Sequence, residues 1–203
     1  MSDMQQRKDL MRNKGLEIDT VFSKIPKEAK LVFKGKIWEV YQWKEKMFDG
    51  KEGVFEGLRK RSGVKIFALS NDKLFMTKEE QPGSDSYYSL IGGTIEGGEL
   101  PIKCAKRELL EEAGMESDSW MLLQVIDVLK YPRLDSYVYL FIAKDCKKVS
   151  NQKLDPGEKI TIVEVSFNQF VENMKQSKGR IGAVSALLND PEQLMMLRSA
   201  LGI

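Results

Sequence analysis

The chain has no histidine and only two cysteines, Cys104 and Cys146, among its 203 residues. Without histidine, one chain cannot build a Ser-His-Asp or Cys-His nucleophile system, a histidine zinc site or a histidine pH switch. Two cysteines are too few for a disulfide scaffold or a four-cysteine zinc site. Acid–base and metal chemistry must therefore fall mainly to carboxylates, lysines and tyrosines.

Long apolar runs and a strong charge of one sign are also missing. No stretch approaches the roughly 20 apolar residues that span a bilayer, and the first residues lack the apolar region of a secretory signal. The 32 basic and 30 acidic side chains leave a net charge of +2, which demands neither nucleic acid nor an anionic membrane as partner. We therefore expect a cytoplasmic protein with buried thiols and with no nucleic-acid or membrane partner.

The chain divides into a polar N-terminal segment (1–30), a small β-unit (31–62) and a main domain (63–203). Alternating apolar and polar residues from Trp38 to Trp43, followed by the turn pair Asp49-Gly50, predict an antiparallel unit. In the main domain, strands and helices are mixed, which predicts an α/β fold with a mixed sheet covered by helices. The patterns predict strands over 64–69, 73–77, 87–91, 122–129, 136–143 and 160–165, a loop over 81–86, and helices over 101–113, 167–175, 185–188 and 191–201.

Three glutamates in the first predicted helix fall on one face. With Glu108 at 0°, Glu111 lies near about −60° and Glu112 near about +40°. These like charges repel one another beside an apolar stripe that includes Leu109, so the pattern favours a bound cation. Carboxylate oxygens are the ligands that Mg²⁺ prefers.

The residues before this helix add to the pattern. Arg107 can reach Glu99 on the preceding loop, because the pairs Gly92-Gly93 and Gly97-Gly98 let that loop fold back. A glycine turn also lets a backbone carbonyl approach a metal closely. A solvated helix face is the plain alternative for the glutamates alone, but it does not explain the glycines and Glu99 at their offsets.

The stretch from Gly93 to Met115 resembles the Nudix box, G-x5-E-x7-R-E-U-x-E-E-x-G-U with U apolar, and matches it at every position. The resemblance implies an α/β/α sandwich that hydrolyses a nucleoside diphosphate linked to another moiety, using Mg²⁺ or Mn²⁺. It implies that the metal is held by Glu108, Glu111, Glu112 and the Gly92 carbonyl, with Glu111 and Glu112 also candidates for catalysis, and that Glu99 and Arg107 form a structural ion pair.

The span from Gly35 to Arg59 is similar to the N-terminal β-unit of ADP-ribose and ADP-sugar pyrophosphatases. That resemblance implies an intertwined homodimer, adenine stacking by Trp38 and Phe55, and phosphate or ribose binding by Arg59. The alternative is that the aromatic residues only pack their own hairpin. The loop before residue 160 looks like the segment that supplies the catalytic carboxylate in that subfamily, which makes Glu158 the candidate base.

Two departures from the subfamily stand out. Ile91 precedes the two glycines where proline is common, and Pro82 follows Gln81 where an aromatic residue and then arginine are usual. Arg133 and Lys78 are the candidates to replace that arginine.

The leading prediction is a Mg²⁺-dependent Nudix hydrolase that cleaves the pyrophosphate of ADP-ribose, or of a related nucleoside diphosphate sugar, to AMP and a sugar phosphate. The alternatives are a nucleoside-triphosphate or dinucleotide pyrophosphatase, and a non-catalytic module that senses a nucleotide. Because all carboxylates of the box are present, the sequence favours an enzyme.

Overall fold

The computed structural model describes residues 23–81, 83–128, 131–177 and 182–203. Most of the predicted polar segment, residues 1–22, lies outside the described residues, as do residue 82 of the predicted loop and residue 129 of a predicted strand. The elements, in chain order, are β1 (Lys30–Lys34), β2 (Trp38–Lys46), β3 (Glu52–Lys60), β4 (Gly63–Ser70), β5 (Lys73–Gln81), β6 (Ser84–Ser89), α1 (Pro101–Ala113), β7 (Met115–Glu116), β8 (Ser119–Asp127), β9 (Leu134–Asp135), β10 (Tyr137–Lys144), β11 (Lys147–Lys148), β12 (Lys159–Val165), α2 (Phe167–Gln176), α3 (Gly182–Asn189) and α4 (Pro191–Leu201).

The main sheet has six strands and carries helices on both faces. Its strand order is β12-β5-β4-β10-β8, with β6 paired to β5, and β4 runs parallel to β10 while the other pairs are antiparallel. Because side chains alternate along a strand, Val64 and Ile66 of β4 enter the core under α1. Phe67 and Leu69 enter the opposite core, under α2, α3 and α4. The predicted α/β/α sandwich with a mixed sheet is confirmed.

Two neighbouring strands of this sheet separate along part of their length, and we call the resulting gap the seam. The seam positions the glycine turn, residues 91–94. Strands β4 and β5 pair only from Ala68 to Ser70 and then separate. The chain fills the gap, since β6 pairs with β5 and the residues after it form bridges to β4, at Ile66–Ile91 and Gly63–Thr94. The turn at residues 91–94 is therefore held by sheet hydrogen bonds, including Val64 N–H to the Gly93 carbonyl at 2.9 Å.

The prediction of a loop over 81–86 is wrong for its described residues 81 and 84–86. Gln81 ends β5 and pairs with Ser84, where β6 begins, and Glu79 pairs with Tyr87. Polar composition suggested a loop, but pairing with the neighbouring strand satisfies the backbone groups of this segment as a hairpin.

The small β-unit is a four-stranded sheet of order β1-β2-β3-β9. Strands β2 and β3 pair in regular register across the predicted turn, where Gly50 takes a positive φ of 85°. The fourth strand, β9, comes from the main domain and runs parallel to β3. The segment before β1 contacts both sheets, because the Lys24 ammonium donates to the Asp127 carboxylate of β8 at 2.6 Å and to the Leu134 carbonyl of β9 at 2.8 Å.

Both cysteines, Cys104 and Cys146, are buried free thiols, as the sequence predicts. Within the described ranges, no helix combines the length and the apolar character needed to cross a membrane.

Candidate active site

Helix α1 brings the box glutamates together through their spacing of three and four residues, and both of its ends are fixed by the sequence. Pro101 takes an early position, where its missing N–H costs no hydrogen bond. Gly114 ends the helix in the left-handed conformation, with φ of 61° and its N–H donating to the Leu110 carbonyl. The buried stripe with Leu109 packs against the sheet, so the neighbouring face carries Glu108 and Glu112 into the seam.

Glu112 is buried, with only 8% of its surface exposed. Its carboxylate accepts a hydrogen bond from the Gly92 N–H at 2.8 Å. Burial raises the pKa of Glu112 to about 8, while the charge of Lys65 and the Gly92 hydrogen bond oppose that rise. The chain therefore positions one carboxylate in a place where its charge is poorly solvated.

Arg107 connects the loop to the other two glutamates. Its Nε and Nη2 donate to the two oxygens of Glu99, both at 3.0 Å. Its Nη1 donates to Glu108 at 2.8 Å and to Glu111 at 2.9 Å. The guanidinium lowers the pKa of Glu99, whereas burial raises the pKa of Glu108. The structure thus places Glu99 and Arg107 in a bidentate ion pair that also reaches the acidic face.

One position in the turn, Gly92, requires glycine, and the absence of a side chain at Gly93 leaves room for the Glu108 carboxylate. Gly92 has φ of 142°, and a Cβ there would lie 2.2 Å from the Val64 carbonyl oxygen. A Cβ on Gly93 would lie 2.3 Å from Glu108 Oε1. Because no side chain separates the turn from the helix, the Glu108 carboxylate lies directly against the backbone.

Glu158 lies in an exposed turn before β12, where its N–H donates to the Asp155 carbonyl at 2.9 Å. Its negative charge contributes to the raised pKa of Glu108. Among the box glutamates, Glu108 is therefore the one on which the charge of Glu158 acts.

Two residues of this site, Lys65 and Glu79, were not among the sequence-based candidates. Lys65 reaches the glycine turn from β4, and Glu79 contributes to the raised pKa of Glu112. Glu79 accepts hydrogen bonds from the Thr77 hydroxyl at 2.8 Å and from the Tyr87 hydroxyl. Strand alternation in β5 was the available signal, since Glu79 shares the face of Phe75, which packs under α1.

The residues present fit a divalent cation. The site offers carboxylate oxygens and the Gly92 carbonyl, which are hard donors of the kind that Mg²⁺ and Mn²⁺ take. Nη1 of Arg107 already acts as one cationic donor shared by Glu108 and Glu111. Within the described part of the chain, no three acidic side chains already converge as a ligand set. Coordination of one ion by three of these carboxylates therefore requires their side chains to rearrange.

The three predicted substrate residues lie on the β-unit and are not brought together. Trp38 pairs with Lys60, and Phe55 pairs with Trp43, five positions further along β2. An odd offset puts Trp38 and Phe55 on opposite faces of the sheet, about 16 Å apart along the strand. One chain therefore cannot stack both rings on the same base.

The Phe55 and Arg59 side chains already have partners within the chain. The Arg133 guanidinium lies over the Phe55 ring, 4.0 Å from its centroid. Arg59 donates to the buried Asp135 carboxylate, the Tyr41 hydroxyl and the Ser23 hydroxyl, each at 2.9 Å. It also lines a cavity of 560 Å³ between the β-unit and the loop at 95–100. Trp38, in contrast, is 37% exposed.

Residues 59–184 match the family model described as NUDIX domain. This span contains the turn, helix α1 and Glu158.

The known proteins similar to the chain include an activator of a dehydrogenase and a hydrolase of known structure. The methanol dehydrogenase activator of Bacillus methanolicus is 25% identical over 151 residues, which covers 72% of this chain and 80% of the activator. A crystal structure of an ADP compounds hydrolase has a TM-score of 0.62 at 21% identity, over 87% of this chain and 94% of that one. At that identity the likeness concerns the fold.

Proposed function

The chain belongs to the NUDIX domain family, and on that premise we propose that it hydrolyses ADP-ribose or a related nucleoside diphosphate sugar to AMP and a sugar phosphate. The predicted class, a Nudix pyrophosphatase, is confirmed by the family match. The observation that carries the proposal is the acidic face of α1, where Glu108 and Glu111 share one cationic donor at 2.8 and 2.9 Å beside the buried Glu112.

We propose that Glu108, Glu111, Glu112 and the Gly92 carbonyl hold Mg²⁺ or Mn²⁺. Such an ion, when bound, neutralises the pyrophosphate and lowers the pKa of a coordinated water. The chain itself orients the carboxylates through Arg107 and the Gly92 N–H.

Glu158 is the proposed base. It lies in an exposed turn that a water and the substrate can reach, and its charge acts on Glu108. A carboxylate in that position takes the proton from the attacking water. Glu111, whose side chain is 42% exposed, is the second candidate, whereas Glu112 is buried against the turn.

We propose that the working protein is a homodimer. Strand β1 is an edge of the small sheet, and its side chains Leu31, Val32 and Phe33 are 46%, 49% and 58% exposed. An exposed apolar edge strand favours pairing with another chain. A second copy would also allow Trp38 of one chain and Phe55 of the other to approach the same adenine, which a single chain does not permit.

A product assay over a panel of nucleotides tests the substrate. The full chain with Mg²⁺ is expected to release AMP from ADP-ribose faster than it hydrolyses any dNTP, and a chelator is expected to stop the reaction. Faster turnover of a dNTP would reject the substrate assignment. Nucleotide binding with no turnover of any compound would favour a sensing module.

Trp38→Ala tests the adenine site. Loss of one stacking ring should raise KM for ADP-ribose about tenfold with little change in kcat, while Trp38→Phe, which keeps an aromatic face, should stay near wild type. An unchanged KM in Trp38→Ala would mean that the ring only packs the β-unit.

A dinucleotide pyrophosphatase is the second candidate. One similar protein is named as the activator of a dehydrogenase, and the nicotinamide dinucleotides of dehydrogenases contain the ADP-ribosyl group and one pyrophosphate. The same panel, with a nicotinamide dinucleotide included, separates the two candidates by relative kcat/KM.

A further inference from the structure

The Lys65 ammonium donates all of its hydrogen bonds to residues 89–92, at and just before the glycine turn. From β4, its Nζ donates to Ser89 Oγ at 2.9 Å, to the Leu90 carbonyl at 2.8 Å and to the Gly92 carbonyl at 3.3 Å. A lysine ammonium has three donors, so these acceptors satisfy it fully. The side chain is half-buried, which limits screening of its charge by solvent.

Gly92 is hydrogen-bonded both to this ammonium and to Glu112. Its N–H donates to the Glu112 carboxylate at 2.8 Å, and its carbonyl accepts from Lys65. The positive charge of Lys65 acts on Glu112 directly. Lys65 is thus a fixed cation next to the Gly92 carbonyl and near the Glu112 carboxylate. Both of these groups are proposed as metal ligands.

We propose that Lys65 is a built-in cation that holds the Gly92 carbonyl when no metal ion is bound and weakens the binding of the ion. The inference rests on the proposed function, because it takes the Gly92 carbonyl as a ligand. A divalent ion bound there meets a positive charge that is anchored by three oxygens and partly shielded from water. Repulsion between the two cations raises the dissociation constant of the ion.

A purely structural role for Lys65 makes a different prediction. If the ammonium only anchored the turn, its loss would loosen the Gly92 carbonyl and leave the affinity for metal unchanged or weaker. The sign of the change in affinity therefore separates a competing cation from an anchor. Thermal stability does not separate them, since both roles predict a lower melting temperature for the metal-free protein.

The test compares Mn²⁺ binding by calorimetry in the full chain and in four variants. Lys65→Met keeps the aliphatic stem, Lys65→Gln keeps a neutral donor, and Lys65→Arg keeps the charge. Lys73→Met removes an equal charge from an exposed position at the start of β5 and serves as the matched control.

Removal of the charge at Lys65 should lower the Mn²⁺ dissociation constant about tenfold in Lys65→Met and Lys65→Gln. Lys65→Arg and Lys73→Met should stay within about twofold of wild type. The melting temperature of the two neutral variants should fall without metal and rise more than that of wild type when Mn²⁺ is added. This thermal shift also reports on a variant that is too unstable for calorimetry.

Two other outcomes overturn the inference and differ in what they say of the metal site. If wild type binds Mn²⁺ and neither neutral variant binds it more tightly, Lys65 does not compete with the ion and only this inference fails. If no protein of the set takes up Mn²⁺, the metal assignment fails and the inference with it.

Discussion

At the scale of single residues, the site holds buried carboxylates. Burial of their charge is unfavourable in free energy, and neighbouring groups compensate part of that cost. Glu112 is a buried carboxylate that relies on the Gly92 N–H and the charge of Lys65. Glu108 is equally buried and relies on Arg107. Buried carboxylates with perturbed pKa values cluster at functional sites.

Glu112→Gln should abolish metal-dependent hydrolysis and leave the fold intact. The amide removes the charge of a proposed ligand but keeps an oxygen for the Gly92 N–H. Turnover with limiting Mg²⁺ and circular dichroism check the two parts. Full activity of the variant at limiting Mg²⁺ would show that Glu112 is not a ligand.

The same variant should change the pH dependence of stability. The pKa of Glu112 is raised from 4.5 to about 8 by burial, so the folded chain binds this proton more tightly than the unfolded chain. Its contribution to stability is complete below the ordinary value and is lost as pH rises toward 8. In a chelator, the melting temperature of wild type should therefore fall relative to that of Glu112→Gln between about pH 5 and about pH 8. A constant difference would contradict the raised pKa.

Arg107→Ala should reduce stability as well as activity. The change leaves Glu99 and the buried Glu108 without their shared cation, which should cost roughly 2–3 kcal/mol of unfolding free energy. Urea denaturation measures this loss. Arg107→Lys retains the positive charge but not the bidentate guanidinium geometry. This variant should therefore recover only part of the lost unfolding free energy. Wild-type stability in the alanine variant would mean that the ion pair is incidental.

At the scale of elements, the contact between the turn and helix α1 depends on having no side chain at Gly93. Gly93→Ala would place a methyl group 2.3 Å from Glu108 Oε1, so either the carboxylate or the turn must move. Relief of this clash should displace the carboxylate, a proposed metal ligand, by roughly 1 Å. A misplacement of that size should lower kcat/KM about 100-fold.

Gly97→Ala is the matched control in the same loop. A Cβ there meets nothing within 4 Å, so activity and melting temperature should remain near wild type. Equal losses in the two variants would mean that the loop needs flexible glycines in general and not close contact at Gly93.

Local sequence signals predicted some elements well and others poorly. The predicted helix 101–113 coincides with Pro101–Ala113 because proline and glycine fix its ends. The residues at 84–86 were missed because their strand depends on pairing with β5. The opposite faces of Trp38 and Phe55 were accessible in principle, since they follow from strand alternation and the hairpin register.

At the scale of the whole molecule, long-range contacts complete the site. Lys65 and Gly92 are far apart in sequence but meet through the seam between β4 and β5. The box motif itself predicted the family and the acidic helix, because all of its residues lie in one short segment. The involvement of Lys65 and Glu79 depends on the arrangement of strands and required the structure.

The proposed dimer predicts that charge on the apolar edge dissociates the protein. Phe33→Lys and Val32→Lys place a cation at β1 side chains that are 58% and 49% exposed, where burial against a second chain would be unfavourable. Light scattering after gel filtration should show the mass of a monomer for these variants.

Met195→Lys is the control for this test. Met195 is 68% exposed on α4, away from the β-unit, so the variant should keep the wild-type mass. A monomeric wild-type protein would contradict the dimer.

The seam has a mechanical consequence. Strand β4 carries Ile66 into one core and Phe67 into the other, and the same strand is bonded to the turn through Val64 and Gly93. The turn cannot shift without straining the sheet that separates both helical layers. We therefore expect rearrangement on loading the site in the side chains of α1 and of Lys65 and in the exposed turn of Glu158, while the backbone of residues 91–94 stays in place.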